Sequence, residues 1–302
     1  MTDYAIRTHE LTKVFKGDLG KQPVTALSNL NLKIPRGEVY AFLGPNGAGK
    51  TTTIKLLTRL LYPTAGHIQI LGFDRLSTQA MAAVGYLPEQ PRFYEYLSGG
   101  EMLDLTGRLF GMPSGKRKKR IDELIELVGL AGRCRQAIRH YSRGMVQRLG
   151  LAQAVINDPE LLILDEPMAS LDPIGRKDFR DLILEFKTGG TTIFFSSHIL
   201  SDAEMLADRV GILNKGQLVR TGKLQDLSEI TETEITFILD VKSRKKLKLD
   251  RKIESQDRIM IACPEARVQD WLGRIMREGG KIVSVMPRRR SLESLFIDEM
   301  ER

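Results

Sequence analysis

Alternating apolar and polar residues open the chain and predict short strands. The alternation is found at residues 4–8, 26–34 and 67–71. A two-residue period places successive side chains on opposite faces of a strand, so each segment would bury one face. Together the three segments predict an antiparallel layer.

Residues 91–160 change to the three- and four-residue spacing of amphipathic helices. The spacing is clearest at 101–110 and 120–128, and the Pro-Ser-Gly sequence at 113–115 predicts a break between them. We therefore expect a mostly helical subdomain over about residues 91–160.

Three apolar runs without alternation predict strands that are buried on both faces. They are Val39–Leu43, Leu161–Leu164 and Thr191–Phe195. The spacing at 178–187 predicts a helix between the last two. Strands that alternate with helices are typical of the α/β class and predict a mostly parallel sheet, with ligands bound beyond the carboxyl ends of the strands.

The pattern changes again after Gly222. The remaining segments predict three strands and two helices, at 234–239, 258–261 and 281–286 and at 268–276 and 292–300. We therefore expect two domains, a large one over 1–222 and a small α+β domain over 223–302.

The composition narrows the class of protein and its compartment. The 302 residues are 42% hydrophobic and 28% charged, as in soluble globular proteins. No apolar stretch approaches the roughly 18 residues that cross a bilayer, and residues 1–4 lack the start of a signal peptide. Cys134 and Cys263 build neither a disulfide framework nor a metal cluster, so we expect a reducing, cytoplasmic setting.

The net charge of +8 is concentrated in basic runs at 116–120, 242–252 and 288–290. Such runs bind nucleic acid or anionic lipid, or form a solvated face or linker. Aromatic residues that could stack on bases do not interrupt them. We therefore rank a membrane surface above nucleic acid as the partner of these runs.

A strand, a loop and a helix carry the first candidate chemistry. The loop matches the phosphate-binding pattern G-x-x-x-x-G-K-[ST] and consists of Gly44, Pro45, Asn46, Gly47, Ala48, Gly49, Lys50, Thr51 and Thr52. An apolar run precedes it, and residues 52–61 predict the helix that follows. Backbone N–H groups of such a loop bind anionic oxygens. Lys50 would reach the β- and γ-phosphates of a nucleotide, and the Thr51 hydroxyl would hold Mg²⁺.

Two carboxylates and a histidine supply the second half of a site. Asp165 and Glu166 directly follow the apolar run at 161–164, and His198 follows the next predicted strand. Asp165 can hold the Mg²⁺ that bridges the β- and γ-phosphates, and Glu166 can orient and polarise the attacking water. The sequence therefore predicts phosphoryl transfer to water.

Taken in order, these motifs resemble the nucleotide-binding subunit of ATP-binding cassette (ABC) transporters over roughly residues 4–222. Gln90 matches the glutamine loop, which senses Mg²⁺ and the membrane partner. Phe15 lies where the family has a ring that stacks on adenine, although a core phenylalanine is the alternative. Tyr141–Arg148 matches the signature helix, and Ser170–Asp172 matches the loop that crosses to the partner subunit.

The same resemblance makes Asp165 the magnesium aspartate, Glu166 the catalytic glutamate and His198 the switch histidine. Lys50 joins Glu166 and His198 as a catalytic residue. The resemblance thus implies a P-loop ATP hydrolase that uses ATP and Mg²⁺.

The signature departs from the family's usual Leu-Ser-Gly-Gly-Gln. Arg143 replaces a glycine and Met145 replaces the glutamine. Ser142 and Gly144 remain, and they would supply a hydroxyl and a backbone N–H at a helix N-terminus to the γ-phosphate. Arg143 adds positive charge beside that anion.

Residues 97–101 read Leu-Ser-Gly-Gly-Glu and look closer to the usual signature than 141–145 do. They follow Gln90 by only seven residues, and no Gln-Arg pair comes after them, whereas Ser142 precedes Asp165 by 23 residues. We therefore expect Ser98 to be the N-cap of a helix and not part of the nucleotide site.

The resemblance implies a dimer in which each ATP is bound by one phosphate loop and the opposite chain's signature. One chain carries one set of motifs, so a second copy or a paralogous ATPase subunit is expected as partner. A separate transmembrane permease is also expected, with this chain on the cytoplasmic face of the membrane and no nucleic acid bound. The signature and residues 291–296 favour the exporter subfamily, whose substrates include drugs, lipids and polysaccharides, with copper or motility systems also represented.

A soluble ABC-type ATPase that acts on nucleic acid or ribosomes is the alternative function. A DNA-repair clamp would need long coiled coils between phosphate loop and signature, where only about 90 residues without sustained heptads are present. A ribosome-bound factor would need two cassettes in tandem, and this chain has one. A P-loop kinase would lack both the signature and His198.

Two further segments receive predictions. Tyr94 and Tyr96 follow Gln90 and are predicted to contact the membrane partner or, alternatively, to pack within the helical subdomain. Residues 223–302 are predicted to brace two chains together or to act as a regulatory module, since the last helix has one apolar face.

Overall fold

The computed structural model of the chain describes residues 3–17, 22–74, 77–227, 230–239, 252–255, 258–289 and 292–301. The chain divides into two compact units, residues 1–224 and 225–302. Part of the sequence analysis lies outside the described residues, namely 242–251 and Arg290 of the basic runs, Met1 and Thr2 of the N-terminus, and Ser291 of the C-terminal tail.

The first unit contains eleven strands and seven α-helices within the described residues. In chain order they are β1 (Tyr4–Phe15), β2 (Val24–Leu30), β3 (Lys33–Pro35), β4 (Val39–Leu43), α1 (Lys50–Leu57), β5 (Ala65–Ile70), β6 (Phe73–Asp74), α2 (Thr78–Ala82), β7 (Val84–Leu87), α3 (Gly99–Leu109), α4 (Ser114–Leu127), α5 (Arg143–Ala154), β8 (Leu161–Leu164), α6 (Pro173–Thr188), β9 (Thr192–Ser197), α7 (Leu200–Leu206), β10 (Arg209–Asn214) and β11 (Gln217–Lys223). A short helix, α8 (Leu224–Leu227), follows.

A six-stranded sheet with the order β11-β10-β4-β9-β8-β7 forms the centre of this unit. All neighbouring pairs are parallel except β10 with β11. Every residue of β4, β8 and β9 is buried, as the continuous apolar runs predict. The predicted mostly parallel α/β sheet is therefore confirmed, and the strands β7, β10 and β11 complete it.

The predicted antiparallel layer is also present, as a sheet with the order β2-β1-β5-β6 in which β3 pairs with β1. The single strand expected over 26–34 is instead two strands, β2 and β3. The Thr8 hydroxyl explains this break, because it donates to the Leu30 carbonyl at 2.8 Å and accepts from the Leu32 N–H at 2.9 Å. The backbone between the two strands is thus hydrogen-bonded to a side chain.

The helices α3, α4 and α5 lie within the segment expected to be helical. The break predicted at 113–115 is wrong by two residues, because α4 begins at Ser114 and includes Gly115. The turn lies earlier. Gly111 adopts a left-handed φ of 70° after α3, and Pro113 precedes the helix where no N–H is required. The basic run at 116–120 therefore lies on α4.

Two other helix boundaries differ from the predictions. Helix α6 begins at Pro173, five residues before the expected start, because proline fits the first helical turn and the Asp172 side chain caps the helix. Helix α1 covers Lys50–Leu57 where 52–61 was expected. Arg59 has a left-handed φ of 60° and ends the helical path.

The second unit is a small α+β structure, consisting of β12 (Ile230–Ile238), β13 (Lys252–Ser255), β14 (Arg258–Cys263), α9 (Val268–Arg277), β15 (Lys281–Arg289) and α10 (Leu292–Glu301). The strands form an antiparallel sheet with the order β13-β14-β12-β15. Its core includes Phe237, Ile259 and Ile275, with Trp271 packed against them. Among the described residues of the chain, no helix is long and apolar enough to cross a membrane.

Helix α10 carries the apolar face on which the prediction of a brace between two chains depends. Such a face can be covered by a second chain or by its own domain. On this face, Leu292 and Leu295 are only 1% and 2% exposed within a single chain, so these two side chains are already covered.

Candidate nucleotide site

The loop from Gly44 to Gly49 joins β4 to α1 at the carboxyl edge of the central sheet. Glycine is required at both ends of this loop. A Cβ on Gly44 would lie 2.5 Å from the Leu213 carbonyl oxygen, and a Cβ on Gly49 would lie 2.6 Å from the Ala26 oxygen. Gly49 also has a left-handed φ of 109°. Close packing against neighbouring backbone therefore fixes the loop in front of the helix N-terminus.

Lys50, the first residue of α1, turns back over this loop. Its ammonium donates to the Gly44 carbonyl oxygen at 2.7 Å and to the Pro45 oxygen at 3.3 Å. It also lies 3.2 Å from Glu166 Oε1, and the two side chains are 6% and 9% exposed. The loop and the end of β8 are thereby joined by a buried ion pair.

Asp165 directly follows β8 and lies beside the start of α1. Its Oδ1 accepts hydrogen bonds from the Ser196 hydroxyl at 2.8 Å and the Thr51 hydroxyl at 3.3 Å. Burial raises the pKa of Asp165, and these two hydrogen bonds oppose the rise. The site is buried, yet it keeps a set of hard oxygen donors.

These oxygens fit Mg²⁺. The ion binds oxygen ligands at about 2.1 Å in octahedral geometry, so two ligands in adjacent positions lie about 3 Å apart. Thr51 Oγ1 and Asp165 Oδ1 lie 3.3 Å apart. Both side chains can therefore approach one ion with only a small adjustment.

Glu166 is held by three neighbours. Besides Lys50, His198 Nδ1 lies 2.8 Å from Glu166 Oε2. The backbone N–H of Glu166 donates to the Ser196 hydroxyl at 2.9 Å. Glu166 also has a left-handed φ of 46°, a strained conformation for a residue with a side chain. With this backbone conformation, the carboxylate contacts both Lys50 and His198.

Ser196 was missed by the sequence analysis. It is fully buried on β9, and its hydroxyl joins the side chain of Asp165 to the backbone of Glu166. A serine pair at the end of the apolar run Ile193–Phe195 is the only signal that could have indicated it. The structure thus brings Lys50, Thr51, Asp165, Glu166, Ser196 and His198 together.

Other predicted site residues lie apart from this group. Gln90 is exposed just beyond β7, the sheet neighbour of β8. Phe15 is 39% exposed at the end of β1, with Lys13 Nζ 5.2 Å from its ring centre. Phe15 is therefore not a core residue, and its role at adenine stays a prediction.

The signature segment forms the start of α5. Ser142 is the N-cap, and its hydroxyl accepts from the Met145 N–H at 3.3 Å. A Cβ on Gly144 would meet no atom closer than 3.7 Å, so packing within the chain does not require glycine there. Gln147 links the helix to the segment after β8, because its amide donates to the Pro167 carbonyl at 2.9 Å.

The competing segment at 97–101 has a structural role. Ser98 caps α3 in a reciprocal capping box with Glu101, which confirms the predicted N-cap. A Cβ on Gly99 would lie 2.6 Å from the Tyr141 hydroxyl oxygen. This glycine is therefore needed for packing within the chain, in contrast to Gly144.

The loop at 170–172 is connected through α6 to α7, the helix that follows His198. Asp172 caps α6 by accepting from the Gly175 N–H at 2.7 Å, and Arg176 donates to the Leu171 carbonyl at 3.1 Å. Arg180, one turn later, lies 3.6 Å from Asp202 on α7. Burial raises the pKa of Asp202, which is 2% exposed.

Sequence comparisons match this chain to known proteins. The family model described as ABC transporter matches residues 27–169. An ABC transporter ATP-binding protein of Nostoc sp. is 40% identical, with 100% of this chain and 91% of the relative covered. The bacitracin transport ATP-binding protein BcrA of Bacillus licheniformis is 36% identical, with 97% of this chain and 96% of the relative covered.

Solved structures give the same picture for about three quarters of the chain. A dimeric ATP-binding cassette in a post-hydrolysis state, bound to ADP and phosphate, superposes with a TM-score of 0.67 at 25% identity. That match covers 73% of this chain and 99% of the other. An ATP-binding subunit of an ABC transporter superposes with a TM-score of 0.65 at 32% identity, covering 74% and 91%.

Proposed function

Because this chain belongs to the ABC transporter ATP-binding proteins, we propose that it hydrolyses ATP through Glu166 to drive export by a separate membrane permease. The family's cassettes bind ATP and hydrolyse it to ADP and phosphate, and the chain is an ATP hydrolase of this type. The observation that carries the residue assignment is the position of Glu166 between Lys50 and His198, beside Thr51 and Asp165.

Glu166 is assigned the proton transfer from the attacking water. The oxygen of that water forms a bond to the γ-phosphorus while the bond to the β–γ bridging oxygen breaks, which leaves ADP and phosphate. A carboxylate at hydrogen-bonding distance from the water accepts its proton. His198, 2.8 Å from Glu166, would orient the carboxylate and donate to the γ-phosphate.

We assign to Lys50 the binding of the triphosphate. It bonds two loop carbonyls and Glu166 in this structure. Phosphate oxygens carry more charge than a carbonyl, so a bound triphosphate would compete with these partners for the ammonium. If a phosphate oxygen replaced Glu166 as a partner of the Lys50 ammonium, the Glu166 carboxylate could bind the attacking water instead.

Mg²⁺ is assigned to Thr51 and Asp165, with Gln90 as a further ligand from the loop after β7. The two oxygens at 3.3 Å support the assignment. When bound, the ion would neutralise charge on the β- and γ-phosphates. Ser196 would hold Asp165 in the orientation that this requires, through its hydrogen bond at 2.8 Å.

The complete site is proposed to need a second chain. Ser142 and Gly144 would bind the γ-phosphate held by the partner's loop, and Asp172 would lie at the same interface. Gly144 supports this proposal, because nothing in its own chain excludes a side chain there. The similar cassette solved as a dimer also favours it. The partner is a second copy or a paralogous subunit.

The transport role is proposed to be export from the cytoplasmic face of the membrane. The signature and residues 291–296 favour the exporter subfamily, and a relative that covers nearly the whole chain is named for bacitracin transport. Gln90, Tyr94 and Tyr96 are proposed to contact the permease. The tyrosines are 68% and 84% exposed, as a docking surface requires.

Mixing two inactive variants tests the shared site. Lys50→Ala would disable a chain's own loop, and Gly144→Asp would disable the signature that it lends. In a mixed dimer the loop of the Gly144→Asp chain meets the signature of the Lys50→Ala chain, so one intact site is restored. We expect phosphate release from the mixture and almost none from either variant alone. A mixture of folded chains that stays inactive would contradict the shared site.

A further inference from the structure

The hairpin of α3 and α4 ends in a surface that is both basic and apolar. We define this hairpin tip as Leu109, Phe110, Lys116, Lys118 and Lys119. Leu109 is 79% exposed and Phe110 is 44% exposed. Lys116 and Lys118 are exposed, and the side chain of Lys119 is 82% exposed. Two large apolar side chains at the end of α3 and three lysines in the first two turns of α4 are thus exposed at the same end of the hairpin.

A buried arginine fixes the shape of the hairpin tip. Arg117 donates to Asp104 at 2.6 Å and to the Met112 carbonyl at 2.7 Å. A Cβ on Gly107 would lie 2.6 Å from Arg117 Cδ, so α3 makes room for this side chain. Arg117 faces α3, and the neighbouring lysines lie roughly 100° or more around the helix from it. The lysines are therefore held toward solvent by the hairpin itself.

Stability of the chain does not explain these lysines. Lys116 lies in the first turn of α4, where a cation opposes the helix dipole and where no acidic residue is present, and Lys118 and Lys119 lie in the second turn. Lys119 is 3.8 Å from Glu123 in an exposed pair, which contributes little. Within the described part of the chain, Lys116 and Lys118 form no ion pair. The three lysines thus contribute little to folding, and their ammonium groups are available to an anionic partner.

We propose that the hairpin tip binds the anionic headgroups of a phospholipid bilayer, with Leu109 and Phe110 entering the interfacial layer. Lysines near an anionic membrane are attracted to its surface, and apolar side chains beside them add binding by leaving water. A nucleic acid would match the charge but would gain nothing from the exposed leucine, and one phenylalanine is not a stacking platform. Lipid therefore uses all five residues of the tip.

The inference rests on the proposed position at the membrane, but not on the permease. Flotation of the purified full chain with lipid vesicles can test it without any transport partner. Vesicles of phosphatidylcholine alone are compared with vesicles in which phosphatidylglycerol is about a third of the lipid. We expect binding to the anionic vesicles only, and weaker binding as salt is raised.

A triple variant with Lys116, Lys118 and Lys119 changed to glutamine should lower partitioning to anionic vesicles about a hundredfold. In the matched control, three other exposed lysines, Lys33, Lys223 and Lys281, are changed to glutamine, which alters the net charge by the same amount. The control should bind nearly as the unchanged chain does. Both variants should keep the ATP hydrolysis of the unchanged chain in solution, so this test can fail while the proposed function stands.

A second variant tests the apolar part of the tip. Leu109→Ser with Phe110→Ser should weaken vesicle binding at physiological ionic strength and leave binding to a heparin column unchanged. Three results would overturn the proposal. They are equal losses of vesicle binding for the hairpin-tip and control lysine variants, no binding of the unchanged chain to anionic vesicles, and no effect of the serine changes on vesicle binding. The last result, together with tight heparin binding, would indicate an acidic polymer as the partner.

Discussion

The ammonium of Lys50 and the carboxylate of Glu166 lie 3.2 Å apart, and both side chains are more than nine-tenths buried. Each charge compensates the other in a place where neither would be tolerated alone. The pair also joins the phosphate loop to the end of β8. A ligand that competes for one member therefore acts on the other, which would link nucleotide binding to the carboxylate that we propose to be catalytic.

Glu166→Gln should lower ATP turnover by about a thousandfold, because the amide cannot accept the proton of the attacking water. Nucleotide binding should be retained or tightened, since Lys50 loses a competing negative charge. The variant should accumulate as a dimer with ATP in size-exclusion chromatography. Phosphate release and affinity for a fluorescent ATP analogue measure the two effects. Glu185→Gln, a change of an exposed glutamate on α6, is the matched control and should be without effect.

Ser196→Ala should raise the Mg²⁺ concentration needed for half-maximal turnover by roughly ten- to a hundredfold. The variant loses the hydroxyl that orients Asp165 and leaves the Glu166 N–H unpaired in a buried site. Ser197→Ala is the control, because the Ser197 hydroxyl bonds Ile199 and neither carboxylate. Mg²⁺ titrations of both variants measure the difference. Equal curves for the two would remove Ser196 from the site.

Gly144→Asp should lose activity and keep its stability, whereas Gly99→Ala should lose stability and keep its activity. Gly144 has room for a side chain, so its variant should fold with an unchanged melting temperature but lose phosphate release by repelling the partner's triphosphate. Gly99→Ala forces a Cβ against Tyr141 and should cost roughly 1–3 kcal/mol of stability while the folded fraction keeps its activity. Thermal unfolding and phosphate release on the same samples separate the two. The reverse pattern would move the signature to residues 97–101.

The central strands were predictable because a short, continuous apolar run such as Leu161–Leu164 is typical of a strand that is buried on both faces. Ser98 was also predictable as a cap, since a glutamate follows it at the capping-box position. Ser196 was not predictable, because its role arises from the register that aligns the ends of β8 and β9. The same holds for Lys50 with Glu166, whose contact depends on sheet order rather than on either local sequence.

Asp202→Asn should flatten the dependence of stability on pH. Burial raises the pKa of Asp202 in the folded chain, so deprotonation favours the unfolded chain. The stabilising effect of this carboxyl is full below its unfolded pKa of about 4 and is lost as the pH rises through the folded value. As the pH rises above about 4, the unchanged chain should therefore lose more unfolding free energy than the variant does. Urea unfolding measures this, with exposed Asp181→Asn as the control.

Truncation after Leu224 tests whether residues 225–302 hold two chains together. All catalytic motifs precede residue 199, and they lie in the first compact unit. Leu292 and Leu295 are already covered within one chain, so the last helix does not need a second chain to bury them. We therefore expect Glu166→Gln to form an ATP-dependent dimer with and without the second unit, as measured by sedimentation. Thermal unfolding must first show that the shortened chain is folded. If that folded chain stays monomeric with ATP while the full-length variant dimerises, the second unit is a brace after all.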